Sequence, residues 1–137
     1  MLVRDIMTPG PVTVPLDASV DDARRLLEEH GFHHLPVVGP AGLEGIVSDR
    51  DVLRYVSPFL DTPSERDRDL YTLRRPIHQI MTRQPVTVSP DDTVRVAAAE
   101  MLRADVGCMP VVGVAGLAGL VTRKDLLRAL ITGDTAR

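Results

Sequence analysis

Two short stretches of the chain combine a glycine, an apolar pair, a hydroxyl residue and, three positions later, an aspartate. They are Gly45-Ile46-Val47-Ser48-Asp49-Arg50-Asp51 and Gly119-Leu120-Val121-Thr122-Arg123-Lys124-Asp125. The pattern is typical of a buried strand that runs into the first turn of a helix. A helix start offers unpaired backbone N–H groups and a positive dipole end, which favour phosphate. Because an aspartate there can accept both hydroxyls of a ribose, both stretches are candidate sites for a sugar phosphate.

The same spacing has a structural interpretation, since Ser48-x-x-Asp51 is also a helix capping box with Asp in place of Glu. The chain offers a comparison. Ser19 and Asp22 form the same box at another predicted helix, whose second copy keeps the hydroxyl but has Val96 where the acid would be. The strand-to-helix turn keeps both groups in both copies, which favours ligand binding over capping alone.

Composition bounds the class of function. The 137 residues, of which 44% are hydrophobic, suffice for one domain or two small halves that share a core. A formal net charge of -3 argues against nucleic acid as a main partner. The single cysteine, Cys108, leaves neither an intrachain disulfide nor a cysteine-based zinc site. No apolar run reaches the length of a membrane span and residues 1–5 show no signal-peptide pattern, so we expect a cytoplasmic protein without a membrane partner.

An internal duplication organises the chain. Ile6-Met7-Thr8 recurs as Ile80-Met81-Thr82, and the distance from Ile6 to Ile80 is 74 residues. At the same offset recur Pro11-Val12-Thr13-Val14 as Pro85-Val86-Thr87-Val88, Pro36–Gly39 as Pro110–Gly113, and Ala41–Leu43 as Ala115–Leu117. Because the offset is constant, the copies have elements of equal length. We predict one repeat over 1–56, a linker over 57–76 and a second repeat over 77–137.

Each copy predicts the order strand, helix, strand, strand, helix. The first copy is predicted to contain a strand at 12–14, a helix between Ser19 and Gly31, a hairpin over 35–47 and a helix from 49 to about 56. In the second copy the buried stripe of the first helix is predicted as Val94, Ala97, Met101 and Leu102. The linker, with its charged run 65–69, is predicted to be exposed and partly helical. Two such units packed about a pseudo-twofold axis would bury both apolar faces.

With these recurring motifs the chain resembles a tandem pair of CBS domains, also called a Bateman module. The resemblance rests on Ile-Met-Thr, Pro-Val-Thr-Val, Pro-Val-Val and Gly-x-x-Ser/Thr-x-x-Asp, which recur in order in both copies and cover nearly the whole chain. We expect no attached catalytic domain. The chain therefore resembles the stand-alone bacterial CBS-pair proteins, including acetoin-utilisation-type accessory proteins.

The resemblance implies an α/β fold of the α+β kind, built from two βαββα repeats. It implies clefts between the repeats that bind AMP, ADP, ATP or S-adenosylmethionine as a regulatory ligand, with no cofactor. It also implies disc-like homodimers.

In this family each cleft takes the hydroxyl and the aspartate that bind ribose from one repeat, and holds adenine largely with the other. One cleft would then comprise Ser48, Asp51 and Ile46 with Thr82, Val86 and Val106. The other would comprise Thr122, Asp125 and Leu120 with Thr8, Val12 and Phe32. The backbones of Val12 and Val86 would contact the adenine edge. The cations near enough in sequence to meet phosphate are His33, His34, Arg50, Arg83, Arg123 and Lys124.

The cations and the cysteine also have plainer interpretations. Arg50 has the alternative of an ion pair with Asp49 or another acid. The second copy has Gly107-Cys108 in place of His33-His34, so the two clefts are not equivalent. Two adjacent histidines do not make a metal site, and none is predicted. Cys108, in an apolar run, is predicted to be a small buried residue rather than a nucleophile.

The leading hypothesis is a non-enzymatic regulatory module that binds an adenosyl ligand and acts on an unknown protein target. The alternative is a dimerisation or interaction module with empty clefts. An enzyme is disfavoured, because no Ser, His and Asp set lies on the sharp turn that catalytic motifs need and no Walker-type loop is present, so no catalytic residue is predicted.

Overall fold

Residues 1–135 are described by a computed structural model of the protein, in which the chain folds as two units. The central unit is Val12–Gln84, and the terminal unit combines Met1–Pro11 with the chain from Pro85 onward. Each unit has its own small β-sheet, helices and apolar core. The predicted pair of βαββα repeats is confirmed. Residues 136 and 137 of the predicted second repeat lie outside the described residues, and the predicted repeat and linker boundaries stay predictions.

The elements alternate in the predicted order. Along the chain they are α1 (Val3–Ile6), β1 (Thr8–Pro9), β2 (Val14–Pro15), α2 (Val20–His30), β3 (His34–Gly39), β4 (Gly42–Ser48), α3 (Asp49–Tyr55), α4 (Asp67–Tyr71), β5 (Thr82–Arg83), α5 (Val94–Ala104), β6 (Cys108–Gly113), β7 (Gly116–Thr122) and α6 (Arg123–Thr135). Two 3-10 turns lie at Thr72–Arg74 and Ile77–Gln79.

The two sheets share one register. In the central unit the order is β2-β3-β4-β5, with β2 parallel to β3 and His34 opposite Ser48. In the terminal unit the order is β1-β7-β6, and Cys108 lies opposite Thr122. Both hairpins have a register shift at the equivalent point, between residues 37 and 38 in the first and between residues 111 and 112 in the second. The equal registers agree with the constant sequence offset between the two copies.

The first strand of each copy is shorter than predicted. In the first copy only Val14 and Pro15 pair with β3, whereas 12 and 13 lie outside the strand. In the second copy the corresponding contact is a single parallel bridge between Val88 and Val111. In the first copy the strand ends at Pro15, whose backbone has no N–H to donate to a continuing ladder.

The helices begin and end where the sequence predicts. The Ser19 and Thr93 hydroxyls accept the N–H of the third helical residue in α2 and α5. Gly31 ends α2 with φ 66°, and Asp105 ends α5 with φ 54°. Both values lie in the left-handed region that glycine adopts without steric penalty, and to which aspartate is among the better suited of other residues.

The predicted apolar stripe of α5 is wrong at one position. Ala97 and Met101 are buried, whereas Leu102 is 84% exposed. Successive helical residues are about 100° apart, so the position after a buried Met101 turns away from the core. The equivalent position of α2 is Glu28, which is exposed as well.

The first residues of each repeat pack with the hairpin of the other repeat. Strand β1 pairs with β7 in the terminal unit, and β5 pairs with β4 in the central unit. Ile80 and Met81 accordingly lie in the core of the central unit. The compact units thus differ from the sequence repeats by an exchange of their opening segments.

The linker is exposed over most of its length, as predicted, with one exception. It contains α4, as expected from a partly helical segment, but Asp69 of the charged run is only 5% exposed. Asp69 accepts hydrogen bonds from the Ser57 hydroxyl at 2.7 Å and from the Arg66 N–H at 2.7 Å. These bonds satisfy the buried carboxylate and fix the linker to itself. No helix within residues 1–135 is long and apolar enough to cross a bilayer, and the cytoplasmic location stays a prediction.

Candidate ligand-binding half-sites

The strand-to-helix turn at Ser48 forms a complete capping box. The Ser48 N–H donates to Asp51 Oδ2 at 2.9 Å, and the Asp51 N–H donates to Ser48 Oγ at 3.1 Å. The capping interpretation of this spacing is therefore confirmed. The box engages only one carboxylate oxygen, because Oδ1 of Asp51 has no hydrogen-bond or ion-pair partner among the side chains that the structure describes, those of residues 1–133. Capping and ligand binding are consequently compatible at this residue.

The turn at Thr122 repeats this geometry. The Thr122 N–H and hydroxyl both donate to Asp125 Oδ2, at 2.8 and 3.0 Å. The Asp125 N–H lies 3.3 Å from Thr122 Oγ1, and Asp125 Oδ1 lies 3.9 Å from Arg128 Nη1. The Asp125 side chain is only 12% exposed and lies on the wall of a cavity of about 290 Å³ that Asp5 and Thr132 also line. A carboxylate oxygen with one distant cation is thus presented to an open volume.

A neighbouring threonine completes each turn from within its own unit. Thr82 of β5 lies opposite Ile46 of β4, and Thr8 of β1 lies opposite Leu120 of β7. Strands β4 and β7 lead directly into α3 and α6. Both threonines are exposed. The structure therefore brings together Ser48, Asp51, Ile46 and Thr82 in the central unit, and Thr122, Asp125, Leu120 and Thr8 in the terminal unit. We call these sets the Asp51 half-site and the Asp125 half-site.

A glycine makes the close approach of these strands possible. A Cβ atom on Gly45 would lie 2.6 Å from the Thr82 carbonyl oxygen, and one on Gly119 would lie 2.6 Å from that of Thr8. Real Cβ atoms do not come so close to a backbone oxygen, so each half-site requires glycine at this position. The recurring motif contains these glycines, but their role depends on a strand pairing that the motif does not encode.

The predicted adenine contacts lie in the other unit in each case. Val86 and Val106 pack against the core of the terminal unit, and Val12 packs against that of the central unit. The Phe32 ring is partly exposed and stacks on His30, with 5.0 Å between ring centroids. That these four residues meet a ligand together with the half-sites stays a prediction.

The charged neighbours of the two half-sites differ. His33 Nδ1 lies 2.8 Å from Asp49 Oδ2. Burial works to raise the pKa of Asp49, but the hydrogen bond from His33 and that from the Arg50 N–H together hold it below its usual value. Arg50 is exposed and takes part in no ion pair within residues 1–135, so its predicted alternative pairing with Asp49 is wrong because His33 occupies that carboxylate.

His34 and Cys108 occupy equivalent positions in the two hairpins. Burial lowers the pKa of His34 below its ordinary value, and the positive charge of His33 adds to this effect, while Asp49 opposes it. Burial, with a contribution from the Asp125 charge, raises the pKa of the Cys108 thiol to about 12. The prediction that Cys108 is buried is confirmed, and a raised pKa disfavours the thiolate form that a nucleophilic cysteine needs.

Sequence comparison identifies the repeats. The CBS domain family model matches this chain twice, at residues 3–58 and 77–132. A CBS domain-containing protein of Dictyostelium discoideum is 40% identical over 134 residues, which are 96% of this chain and 92% of that protein.

Solved structures share the fold over nearly the full length. The structure of CBSX2 in complex with AMP has a TM-score of 0.79 and 31% identity, covering 97% of this chain and 98% of that one. The CBS domain pair of protein MJ0100, in complex with 5′-methylthioadenosine and S-adenosyl-L-methionine, has a TM-score of 0.78 and 29% identity, covering 98% of each chain. This chain belongs to the CBS domain family and carries two CBS domains in tandem.

Proposed function

We propose that the protein is a non-enzymatic regulatory module that binds an adenosyl ligand, and that Asp51 and Asp125 each accept the two hydroxyls of a ribose. The proposal is supported by the different roles of the two oxygens in each carboxylate. Oδ2 caps the helix, whereas Oδ1 of Asp51 has no partner among the described side chains of residues 1–133 and that of Asp125 has only Arg128 at 3.9 Å.

The chemistry suits a vicinal diol. An ionised carboxylate is an acceptor only, with lone pairs on both oxygens, and the two adjacent hydroxyls of a ribose are paired donors. Hydrogen bonds to a charged acceptor contribute about 1.5–3 kcal/mol each to stability or binding. The capping box orients the carboxylate before the ligand arrives, which reduces the entropy lost on binding.

The class of ligand is supported by the relatives. CBSX2 is described in complex with AMP, and MJ0100 with 5′-methylthioadenosine and S-adenosyl-L-methionine. These ligands share adenosine and differ at the 5′ position. We therefore infer an adenosyl ligand for this chain, from the group AMP, ADP, ATP and S-adenosylmethionine. Ligand binding would regulate a partner protein only if the ligand binds two conformations of the module with different affinity.

A titration of the purified protein with each of these four ligands tests the proposal. Replacing Asp51 or Asp125 by Ala should weaken binding to the affected half-site by about a hundredfold, equivalent to about 2.7 kcal/mol. The matched control is Asp22→Ala, because Asp22 and Ser19 form the same capping box in α2, with both bonds at 3.0 Å. This control should lose the same cap stability and keep its affinity.

The outcomes separate the competing functions. Unchanged affinity in both Asp51→Ala and Asp125→Ala contradicts the ribose assignment. Absence of binding by the unmodified protein favours the interaction module with empty clefts. Hydrolysis of a ligand during the titration revives the enzyme hypothesis.

We also propose a homodimer that uses the outer faces of α5 and α6. A groove of about 600 Å³ between these helices is lined by apolar residues that include Ala98, Leu102, Leu127 and Leu130. The equivalents of Ala98 and Leu102 in α2 are the charged residues Arg24 and Glu28. The outer face of α5 is thus apolar where that of α2 is charged, and an exposed apolar groove is typical of a surface that is covered in an assembled protein.

Leu102→Glu, which introduces the residue of the first copy, should convert the dimer to a monomer in analytical ultracentrifugation. Val114→Glu is the matched control, since Val114 is fully exposed in the terminal unit and lies outside the groove. A Leu102→Glu protein that sediments as a dimer, or an unmodified protein that sediments as a monomer at high concentration, contradicts the proposed interface.

A further inference from the structure

Two positions near Asp51 and Asp125 differ together between the two copies. In the first copy they hold His33 and Asp49, and in the second copy they hold Gly107 and Arg123, at the common offset. The backbone contact is the same in both, because the N–H of Asp49 donates to the His33 carbonyl and that of Arg123 to the Gly107 carbonyl, each at 3.0 Å. The two positions are therefore structurally equivalent, and only the side chains differ.

The side chains fit each other within each copy. His33 and Asp49 are joined by a hydrogen bond of 2.8 Å between Nδ1 and Oδ2. In the second copy the Arg123 guanidinium lies over Gly107, and a Cβ atom at position 107 would be 3.4 Å from Nη2. A side chain at position 107 would thus contact the arginine, whereas the histidine of the first copy pairs with an aspartate.

The exchange changes the charge around the ligand. At the Asp51 half-site the helix begins with Asp49 and Arg50, whose charges cancel, and the aspartate is paired with His33. At the Asp125 half-site the helix begins with Arg123 and Lys124, whose charges add. All four residues lie within two positions of the ribose acid in sequence, which is less than one helical turn.

Adenosyl ligands differ in charge at the 5′ position, on the same sugar ring as the hydroxyls that the acids would bind. AMP carries a phosphate, adenosine and 5′-methylthioadenosine are uncharged there, and S-adenosylmethionine carries a sulfonium cation. A local field of two positive charges favours a phosphate and disfavours a sulfonium. Where positive and negative charges balance, binding of the uncharged and the cationic ligands is not disfavoured.

We propose that Arg123 and Lys124 make the Asp125 half-site selective for 5′-phosphorylated adenosine, whereas the His33–Asp49 pair gives the Asp51 half-site no preference for phosphate. This inference rests on the proposed function, because it assumes that each acid holds a ribose. It adds that the two half-sites sort ligands by charge, so that the protein binds one phosphorylated and one unphosphorylated ligand when both are present.

Single-site proteins test the inference. Asp51→Ala leaves the Asp125 half-site, and Asp125→Ala leaves the Asp51 half-site. Each is titrated with AMP and with adenosine by isothermal calorimetry at low and at high salt. We expect the protein that retains Asp125 to bind AMP about tenfold more tightly than adenosine, with the ratio falling as salt rises. The protein that retains Asp51 should bind the two ligands within about threefold of each other.

A charge exchange provides the decisive variants. In the Asp51→Ala background, Arg123→Asp should abolish the AMP preference. In the Asp125→Ala background, Asp49→Arg should create a preference for AMP. Arg103→Asp is the matched control, since it makes the same change in net charge on an exposed residue of α5. Because Arg123 also lines the α5–α6 groove, the oligomeric state of every variant is measured in parallel.

The failures are distinguishable. If Arg123→Asp and Arg103→Asp change the AMP-to-adenosine ratio equally, or not at all, while adenosine still binds, the charge-sorting inference is overturned and the proposed function stands. If the double variant of Asp51 and Asp125 to Ala binds adenosine as tightly as the unmodified protein, the proposed function is overturned and the inference with it.

Discussion

At Ser48 and at Thr122 the chain makes the same turn from strand to helix, with the same capping box and a glycine three residues upstream. The neighbouring side chains differ, because a histidine–aspartate pair stands where the other copy has glycine and arginine. The comparison separates residues that set the backbone from residues that set the charge. The first group is shared by both copies, and the second group is where the copies have different properties.

Substitutions in the two cores should have the largest effect on stability, and the effect should be similar in both copies. Leu27 and Met101 hold equivalent buried positions on α2 and α5. Replacing either by Ala should lower the free energy of unfolding by about 3 kcal/mol, since a large buried side chain is lost and a cavity is left. Urea denaturation measures the effect, with the exposed Glu28→Ala as a control that changes stability by less than about 0.5 kcal/mol. A loss of under about 1 kcal/mol in only one copy would break the equivalence.

The glycines before the two turns should be the next most sensitive positions. Gly45→Ala and Gly119→Ala should each destabilise the protein by about 2 kcal/mol, because the new methyl group would lie 2.6 Å from a backbone oxygen. Gly133→Ala is the control, since nothing lies within 4 Å of its Cβ position and alanine favours the helix. Thermal unfolding that ranks Gly133→Ala as the most harmful of the three contradicts the packing account.

Removing the capping hydroxyls should have a smaller and equal effect in both copies. Ser48→Ala and Thr122→Ala should each lower stability by about 1 kcal/mol, the usual contribution of a helix cap. The conservative exchanges Ser48→Thr and Thr122→Ser keep the hydroxyl and should be close to neutral. The account of the caps fails if these exchanges are as damaging as the alanine variants.

The smallest effect should distinguish the copies by pH. Burial lowers the pKa of His34 in the folded protein, so the unfolded chain binds a proton more readily. Stability should therefore fall as pH drops through the ordinary histidine range, near about 6.5, and this contribution should level off below the folded pKa. His34→Gln should show a shallower loss than the unmodified protein. The equivalent Cys108→Ser should not alter the slope, because the thiol, with a pKa of about 12, is neutral throughout. Parallel slopes for His34→Gln and the unmodified protein would contradict the burial argument.

Local patterns were sufficient to predict most of the fold. The constant offset, the caps at Ser19 and Thr93 and the glycine at 31 predicted the elements and their order, because these features depend on residues close in sequence. The prediction for Leu102 was wrong because an apolar side chain next to the buried stripe looks the same in the sequence as one within the stripe. The exchange of opening segments that pairs β1 with β7 is a long-range contact, and no periodicity encodes it.

The candidate site was predictable in part. The residues of each turn follow from one motif, and the partners Thr8 and Thr82 followed from the family resemblance. The pairing of His33 with Asp49 was not foreseen, although aligning the copies shows that residues 33 and 49 both differ from 107 and 123. Such a coupled difference between two copies is a signal that each position alone does not give.

The proposed function depends on Oδ1 of Asp51 and Oδ1 of Asp125 holding a ribose. A crystal structure of the protein with AMP and adenosine tests it most directly. The account predicts ribose hydroxyl oxygens at about 2.5–3.0 Å from Oδ1 of Asp51 and of Asp125, with both capping boxes intact. A well-ordered adenosyl ligand whose ribose contacts neither carboxylate would contradict it.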